Sequence, residues 1–421
     1  MEPEDCMQRL FLSDLHIGDG YLDDNFNLDD AFASLLESFG SSGQKTELVL
    51  LGDIFELLES KVVREMGFCS FDEVCTQIDT SVIDQILGRH PKIGMALKKY
   101  LRLNRITYVI GNHDYYFFTK KELRDRVNDY LAEGEGINFV PYFYDPIWGV
   151  FGYHGSNFDV SNRFGKEKKT GKIIAPIGDY MARYMIIHFK ERLRDENVPV
   201  SIAEDFDDVR PNIDVFDWVK YIRETYHLGI DLTELWMAEL LKMLRTASAK
   251  SWMKSNYPTA HKLSALFVNE WGGIKLGRFM IDIVAKLRKL RRTDYMRQKA
   301  KKVLLKGNTR QEYRFKESDF WGFGSLPDID YPSLNGILFG HRHRFDSLIF
   351  PHKGQNRFYI NTGTWRNVIE RGNKNDYEKF VKRIEYSYAL VKEEEGHLCV
   401  QTIMNSKIRN KNLILPNAEV G

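Results

Sequence analysis

Short apolar runs alternate with stretches of helical period through the first third of the chain. Arg9 to Ser13 reads as a buried strand, and Asp29 to Phe39 as an amphipathic helix stopped by the Gly40-Ser41-Ser42-Gly43 turn. Thr46 to Leu51 (TELVLL) is the next strand. A long helical stretch from Phe71 to Leu103 follows, and then the strand Ile106 to Ile110 (ITYVI). Each of the last two strands ends in glycine followed by Asp or Asn. Strands alternating with helices predict an α/β sandwich, in which side chains at strand ends converge on one edge of a sheet.

The strand pattern resumes near the C-terminus with Gly336 to Phe339, Arg357 to Ile360, Ile384 to Val391 and Leu398 to Met404, all rich in β-branched and aromatic residues. Between the two regions helical period dominates, as in Leu276, Phe279, Ile283, Leu287 and Leu290 with basic residues in between. No solenoid repeat or low-complexity tract is present. The pattern predicts one α/β domain, residues 1–159 and 336–421, interrupted by a helical insertion over 160–335.

Composition narrows the class. A hydrophobic share of 43% and a charged share of 28% over 421 residues exclude a collagen-like or mainly disordered chain. No apolar stretch reaches the length of a membrane span, and the acidic start (Glu2, Glu4, Asp5) lacks the basic region of a signal peptide. Four cysteines without a CxxC pair suit a reducing compartment, so the expected location is the cytoplasm, with peripheral membrane contact as an option. The net charge of +1 conceals a segregation: residues 160–335 carry 32 basic and 23 acidic side chains, the remainder 28 and 36. The densest part, Lys286 to Lys306, has ten Lys or Arg and one acid at helical spacing. Such a stretch suits an anionic membrane surface, nucleic acid or a polyanionic substrate, or is a solvated helix face. Five of the seven tryptophans (Trp218, Trp236, Trp252, Trp271, Trp321) fall in the insertion, where core packing is the leading expectation.

Five short motifs occur in order at strand ends: Asp14-x-His16, Gly52-Asp53, Gly111-Asn112-His113-Asp114, His154-Gly155 and Gly340-His341-Arg342-His343. A single DxH or GD carries little weight, because an isolated Asp or His after a strand is usually a turn or cap residue. Five of the 11 histidines lie in these motifs, however, and separate capping roles would not set them in this order after apolar runs. Carboxylate, amide and imidazole make a mixed N/O ligand set that favours Mn, Fe or Zn over the all-oxygen sites of Ca and Mg. Two such ions can activate a water and clamp a phosphoryl group, with Asp53 as the natural bridging carboxylate. Arg163 and Lys166, shortly after His154, are candidates for phosphate contact. No GxSxG elbow is present, and the nearest phosphate-loop candidate, Gly165 to Lys172, has the wrong spacing.

The ordered set SDLH, GDIFE, GNHD, YHG and GHRH resembles the calcineurin-like metallophosphoesterases over residues 8–159 and 336–405. The resemblance implies a pair of packed mixed sheets flanked by helices, and two divalent metal ions, foremost Mn, with Fe, Zn or Mg as alternatives. It implies Asp14, His16, Asp53 and His343 at one ion and Asp53, Asn112, His154 and His341 at the other. His113 would be the general acid, with Asp114 orienting it. NTGTW at Asn361 to Trp365 is similar to a segment near the family's active site, or is a simple turn. In motif order the chain is nearest to branches like the UDP-2,3-diacylglucosamine pyrophosphohydrolases, with His113 where those enzymes carry Arg. HGSNFDVSNRF also resembles the HGHxFDxxNR run of other branches.

The expected function is a metal-dependent phosphohydrolase acting on a phosphoester or pyrophosphate of a nucleotide-sugar, lipid-linked or other small substrate. The alternatives are a nuclease that holds nucleic acid on the basic insertion, and a metal-bound interaction scaffold without catalysis.

Overall fold

The structure is a computed structural model that describes residues 8–21, 26–41, 43–67, 69–131, 135–159, 161–196, 198–199, 202, 205–210, 214–256, 258, 295–352, 354–372 and 380–410. The expected helix through Leu276 to Leu290, Trp271 and the part of the basic stretch before Tyr295 lie outside the described residues. The chain divides into two compact units. One comprises Met1–Asp179, Asp294–Arg366 and Tyr386–Met404, the other Tyr180–Thr293, Asn367–Glu385 and Asn405–Gly421.

The first unit holds most of the strands. They are β1 (Gln8–Leu12), β2 (Thr46–Leu51), β3 (Arg105–Val109), β4 (Asn138–Val140), β5 (Phe143–Asp145), β6 (Val150–Tyr153), β7 (Gly165–Lys166), β8 (Ile173–Ile174), β9 (Gly336–Phe339), β10 (Phe345–His352) and β11 (Gln355–Thr362). After β12 (Asn367–Arg371), which belongs to the second unit, come β13 (Phe380–Glu394) and β14 (His397–Asn410). One mixed sheet runs β13-β1-β2-β3-β4, with β1 to β4 parallel and β13 antiparallel to β1, and β14 pairs with β13. A second mixed sheet runs β10-β11-β9-β6-β5, with β6, β9 and β11 parallel. Strands β7 and β8 form a separate short hairpin.

The two sheets share one core. Phe11, Val49, Leu51 and Val109 of the first meet Phe143, Val150, Leu338, Phe358 and Ile360 of the second. Each such side chain contributes roughly 1.5 to 3 kcal/mol on burial. β1 and most of β2 are buried on both faces, which is why Leu10 to Leu12 and Leu48 to Leu51 read as continuous apolar runs rather than alternating ones.

Several elements differ from the sequence expectation. The helical stretch from Phe71 is three helices, Phe71–Gln77, Ser81–Arg89 and Pro91–Leu101. Ser70 and Glu73 cap the first reciprocally, and Pro91, which cannot continue a preceding helix, starts the third. Strands β4, β5, β10 and β12 were not expected, being short or interrupted by polar residues, whereas β6 is the strand expected before His154. Residues 160–179 and 294–335, assigned by period to the insertion, fall in the first unit instead. The reason is apolar packing: the helix Tyr295–Lys306 buries Met296, Ala300, Val303 and Leu304 and packs on β9 and β11. Phe315 and Phe320 likewise stack against Phe151, and Phe323 meets Tyr153.

The second unit is mainly helical. Phe189, Phe206, Trp218 and Trp236 form an aromatic core between its helices, and Trp252 is also buried, as expected for core tryptophans. Here β12 pairs with the first residues of β13, and Arg371 of β12 reaches Asp214 at 3.2 Å as well as Asp217. Among the described residues no helix is long and apolar enough to cross a membrane.

Candidate metal centre

All five motifs leave the carboxyl ends of parallel strands: Asp14 and His16 after β1, Asp53 after β2, Asn112 to Asp114 after β3, His154 after β6, and His341 and His343 after β9. Strand ends on both sheets thus supply one site, as expected for the crevice at the carboxyl edge of an α/β sheet. Main-chain bonds hold adjacent loops together: Asp14 N–H donates to Gly52 O at 3.1 Å, His16 N–H to Asp53 O at 3.0 Å, and Gly340 N–H to His154 O at 3.1 Å.

The backbone marks the same residues. Seven described non-glycine residues have left-handed φ, and five of them are Asp14, His16, Asp53, His341 and His343. Each such conformation costs about 1 to 3 kcal/mol and persists only where the surroundings impose it, so its concentration here is a functional signature. The motif glycines permit the close approach. A Cβ on Gly52 would lie 2.5 Å from His154 Nδ1, and one on Gly111 would lie 2.2 Å from Asp53 Oδ1.

Ligand atoms converge in overlapping groups. Asp14, His16, Asp53 and His343 offer atoms within 4.8 Å of one another, as do Asp53, His154 and His341, and all but the half-buried His341 are buried. Asn112 joins the second group through Oδ1, 3.0 Å from His154 Nε2. Asp53 belongs to both. A third group, His16, Glu56 and His113, adjoins the first.

A cation suits the donor set. His154 Nδ1 donates to Leu51 O at 2.8 Å, which leaves Nε2 as the acceptor in the neutral ring. That nitrogen faces Asp53 Oδ2 at 3.1 Å and Asn112 Oδ1 at 3.0 Å, so three acceptors meet and only a proton or a metal ion reconciles them. His16 Nε2 and His343 Nε2 are 3.0 Å apart, with Asp14 Oδ1 3.3 Å from the latter. Among the described residues His341 Nδ1 is buried and bonds nothing, although its ring is held from the other nitrogen.

The electrostatics of the bare cluster express the same crowding. Burial pushes the Asp14 carboxyl up to about 7, and burial with the nearby His113 pushes His16 down to about 4. Burial would lower His154, but the Asp53 carboxylate outweighs it and lifts the ring to about 9. Burial would raise Asp53, yet His154 and His113 hold it well below the usual carboxylate range.

His113 and Asp114 separate in role. Burial disfavours the His113 cation, but Glu56 and Asp53 raise it to about 10, and Glu56 Oε1 lies 2.9 Å from its Nδ1. The carboxylate on the His113 ring is therefore Glu56 and not Asp114. Asp114 instead staples the turn, accepting from Gly111 N–H at 2.6 Å, Ile54 N–H at 2.9 Å and the Tyr108 hydroxyl at 2.5 Å. A residue directly after His113 points away from it once the chain turns, whereas Glu56 lies on the adjacent loop.

Glu56 is the main residue absent from the sequence-based assignment. It also meets His16 Nδ1 at 2.7 Å, so it links His16 to His113. Its signal was present in GDIFE, three residues after Asp53. NTGTW is more than a turn: Asn361 donates to Gly340 O at 2.6 Å, and Thr364 Oγ1 and Trp365 N–H both donate to Asp14 O. Of the two expected phosphate contacts, Lys166 pairs with Glu317 at 3.0 Å on the surface, and Arg163 is half-buried. Asp159 and Asn162 of that segment reach His341.

No protein-family model matches the chain, and a search of curated proteins finds no match. The site therefore stands on its own geometry. The molecule is a mixed α/β protein whose buried His/Asp cluster is consistent with a binuclear metal centre.

Proposed function

We propose that the protein is a two-metal phosphohydrolase that cleaves a phosphoester or pyrophosphate bond of a small or lipid-linked phosphorylated substrate. The observation that carries this reading is the membership of Asp53 in both groups of converging ligand atoms. In it, Asp14, His16, Asp53 and His343 hold one ion, and Asp53, Asn112, His154 and His341 the other. The mixed imidazole and carboxylate set favours Mn, with Fe and Zn next. Bound divalent ions lower the pKa of water and neutralise charge on a phosphoryl group.

The remaining work falls to the chain. Glu56 keeps the His113 ring protonated and oriented through Nδ1. Among the described residues Nε2 has no protein bond, so this nitrogen donates the proton to the leaving-group oxygen. Arg163 and the positive charge of Lys166 are the candidates for holding the non-reacting part of the substrate.

The test is metal content by mass spectrometry together with a screen of nitrophenyl phosphomonoesters and diesters, nucleoside diphosphate-sugars and DNA with Mn, Fe, Zn and Mg. Two equivalents of metal and turnover in at least one small-molecule class are expected, and both are expected to vanish in Asp53→Asn. Metal-loaded protein inert towards every ester and anhydride would sink the reading, and turnover confined to DNA would move it to a nuclease.

A further inference from the structure

His341 is the least enclosed of the ligand histidines, and it is held differently from the others. His154 is fixed by a main-chain carbonyl, and His16 by Glu56 within the catalytic loops. The His341 ring is instead met by residues from the segment that follows His154. Its Nε2 lies 3.3 Å from Asp159 Oδ2, and the Asn162 amide nitrogen, 3.4 Å from the same atom, has the Ser161 hydroxyl as its acceptor at 3.4 Å. Asp159 is itself anchored, accepting from the Ser161 N–H and the Ser161 hydroxyl, both at 2.8 Å through Oδ1. One carboxylate oxygen is thus tied to the turn while the other faces the ring. The other ring nitrogen, Nδ1, is buried and has no hydrogen-bond partner among the described residues.

An imidazole has two tautomers, and only the one that places its proton on Nε2 offers a lone pair at Nδ1. A carboxylate acceptor at Nε2 selects that tautomer, fixes the ring plane and makes the other nitrogen a better donor to a metal. We infer that Asp159, anchored by Ser161, is a positioning residue that fixes the His341 ring with Nδ1 directed at the ion held by Asp53 and His154. This inference rests on the two-ion reading of the site. It assigns the FDVSN segment a part in metal binding rather than in substrate contact. It also makes one ion position depend on a surface-proximal turn, since the Asp159 side chain is one-third exposed.

The consequence is unequal metal affinity in variants. Mn or Co binding is followed by calorimetry and by chelator competition on the full chain, with circular dichroism as a check of folding. The wild-type protein is expected to bind two equivalents. Asp159→Ala is expected to retain one tight equivalent and to bind the other about 10 to 100-fold more weakly, the usual effect of losing such a support. Asp159→Asn keeps an oxygen acceptor for Nε2 and is expected to recover part of the loss. Ser161→Ala removes the hydroxyl half of the anchor, keeps the main-chain half and does not touch the ring, and is expected to show a smaller loss at the same ion. Coupled spectra of the two-ion centre should fade in parallel. If the wild type binds two equivalents and folded Asp159→Ala does so with unchanged affinity, the inference fails while the two-ion reading stands. Should Asp159→Ala not fold, the Ser161→Ala and Asp159→Asn pair decides by the same criterion. A wild-type protein that binds fewer than two ions overturns both.

Discussion

His113 and Asp114 are neighbours in sequence with opposite surroundings, and their substitutions should separate accordingly. His113→Ala leaves every residue of the two ligand groups in place, so turnover is expected to fall about 10² to 10⁴-fold with metal content unchanged. Loss of metal in that variant would make His113 a ligand. Asp114→Asn removes an acceptor from a turn that already uses both oxygens, and is expected to lower the melting temperature. Glu56→Gln tests the ion pair to His113 in chelator-treated protein. Glu56 is held below its ordinary value, chiefly against burial by the charge of His113, so its contribution is present above the unfolded carboxylate value and lost in acid. His113 is raised to about 10, so its contribution is complete below the unfolded imidazole value and lost as pH rises through about 10. The stability difference between wild type and Glu56→Gln, about 1 to 3 kcal/mol, is therefore expected to peak between the two unfolded values, near pH 5 to 6. It should shrink towards pH 10 in denaturant melts, and a difference that grows with alkalinity would contradict the pairing.

The element that makes the site is the tight turn after a parallel strand, and the left-handed residues and glycines record how tightly it closes. In Gly111→Ala the new methyl would sit 2.2 Å from Asp53 Oδ1 and 2.5 Å from Asp53 N. It should cost about 1 to 3 kcal/mol in a thermal melt and displace metal, because overpacked sites shift their neighbours. Buried strands such as TELVLL were legible because four consecutive apolar residues, Leu48 to Leu51, run up to the Gly52 turn, and β2 runs over Thr46–Leu51 as expected. The edge strand β10 was not, because none of its eight residues is fully buried, three face solvent and Pro351 interrupts it. Helical period located the residues of Tyr295–Lys306 but not their unit. Its buried stripe is satisfied by β9 and β11, a partner that a periodicity cannot specify.

Across the whole molecule, one sandwich gathers candidate ligands from residue 14 to residue 343, and in the proposed reading the same convergence predicts strong coupling of metal to folding. Mn at 100 times its dissociation constant is expected to stabilise the protein by about 2.7 kcal/mol per site, read as a rise in melting temperature that a chelator reverses. A melting temperature indifferent to metal would contradict a cluster that needs a cation to reconcile its acceptors. The sequence by itself determined the chemistry on offer: strand-end Asp, His and Asn in a fixed order, an α/β alternation and the glycines that let the turns close. Those are local properties, set by residue type, apolar runs and neighbours within a few positions. Only the tertiary structure decided which acceptor each histidine meets. Glu56 rather than Asp114 took His113, Asp159 took His341, and NTGTW braced Asp14 and Gly340, because hydrogen-bond partners of a buried ring are chosen by packing between distant strands. The extent of each unit was decided in the same way, by which core accepted an apolar face.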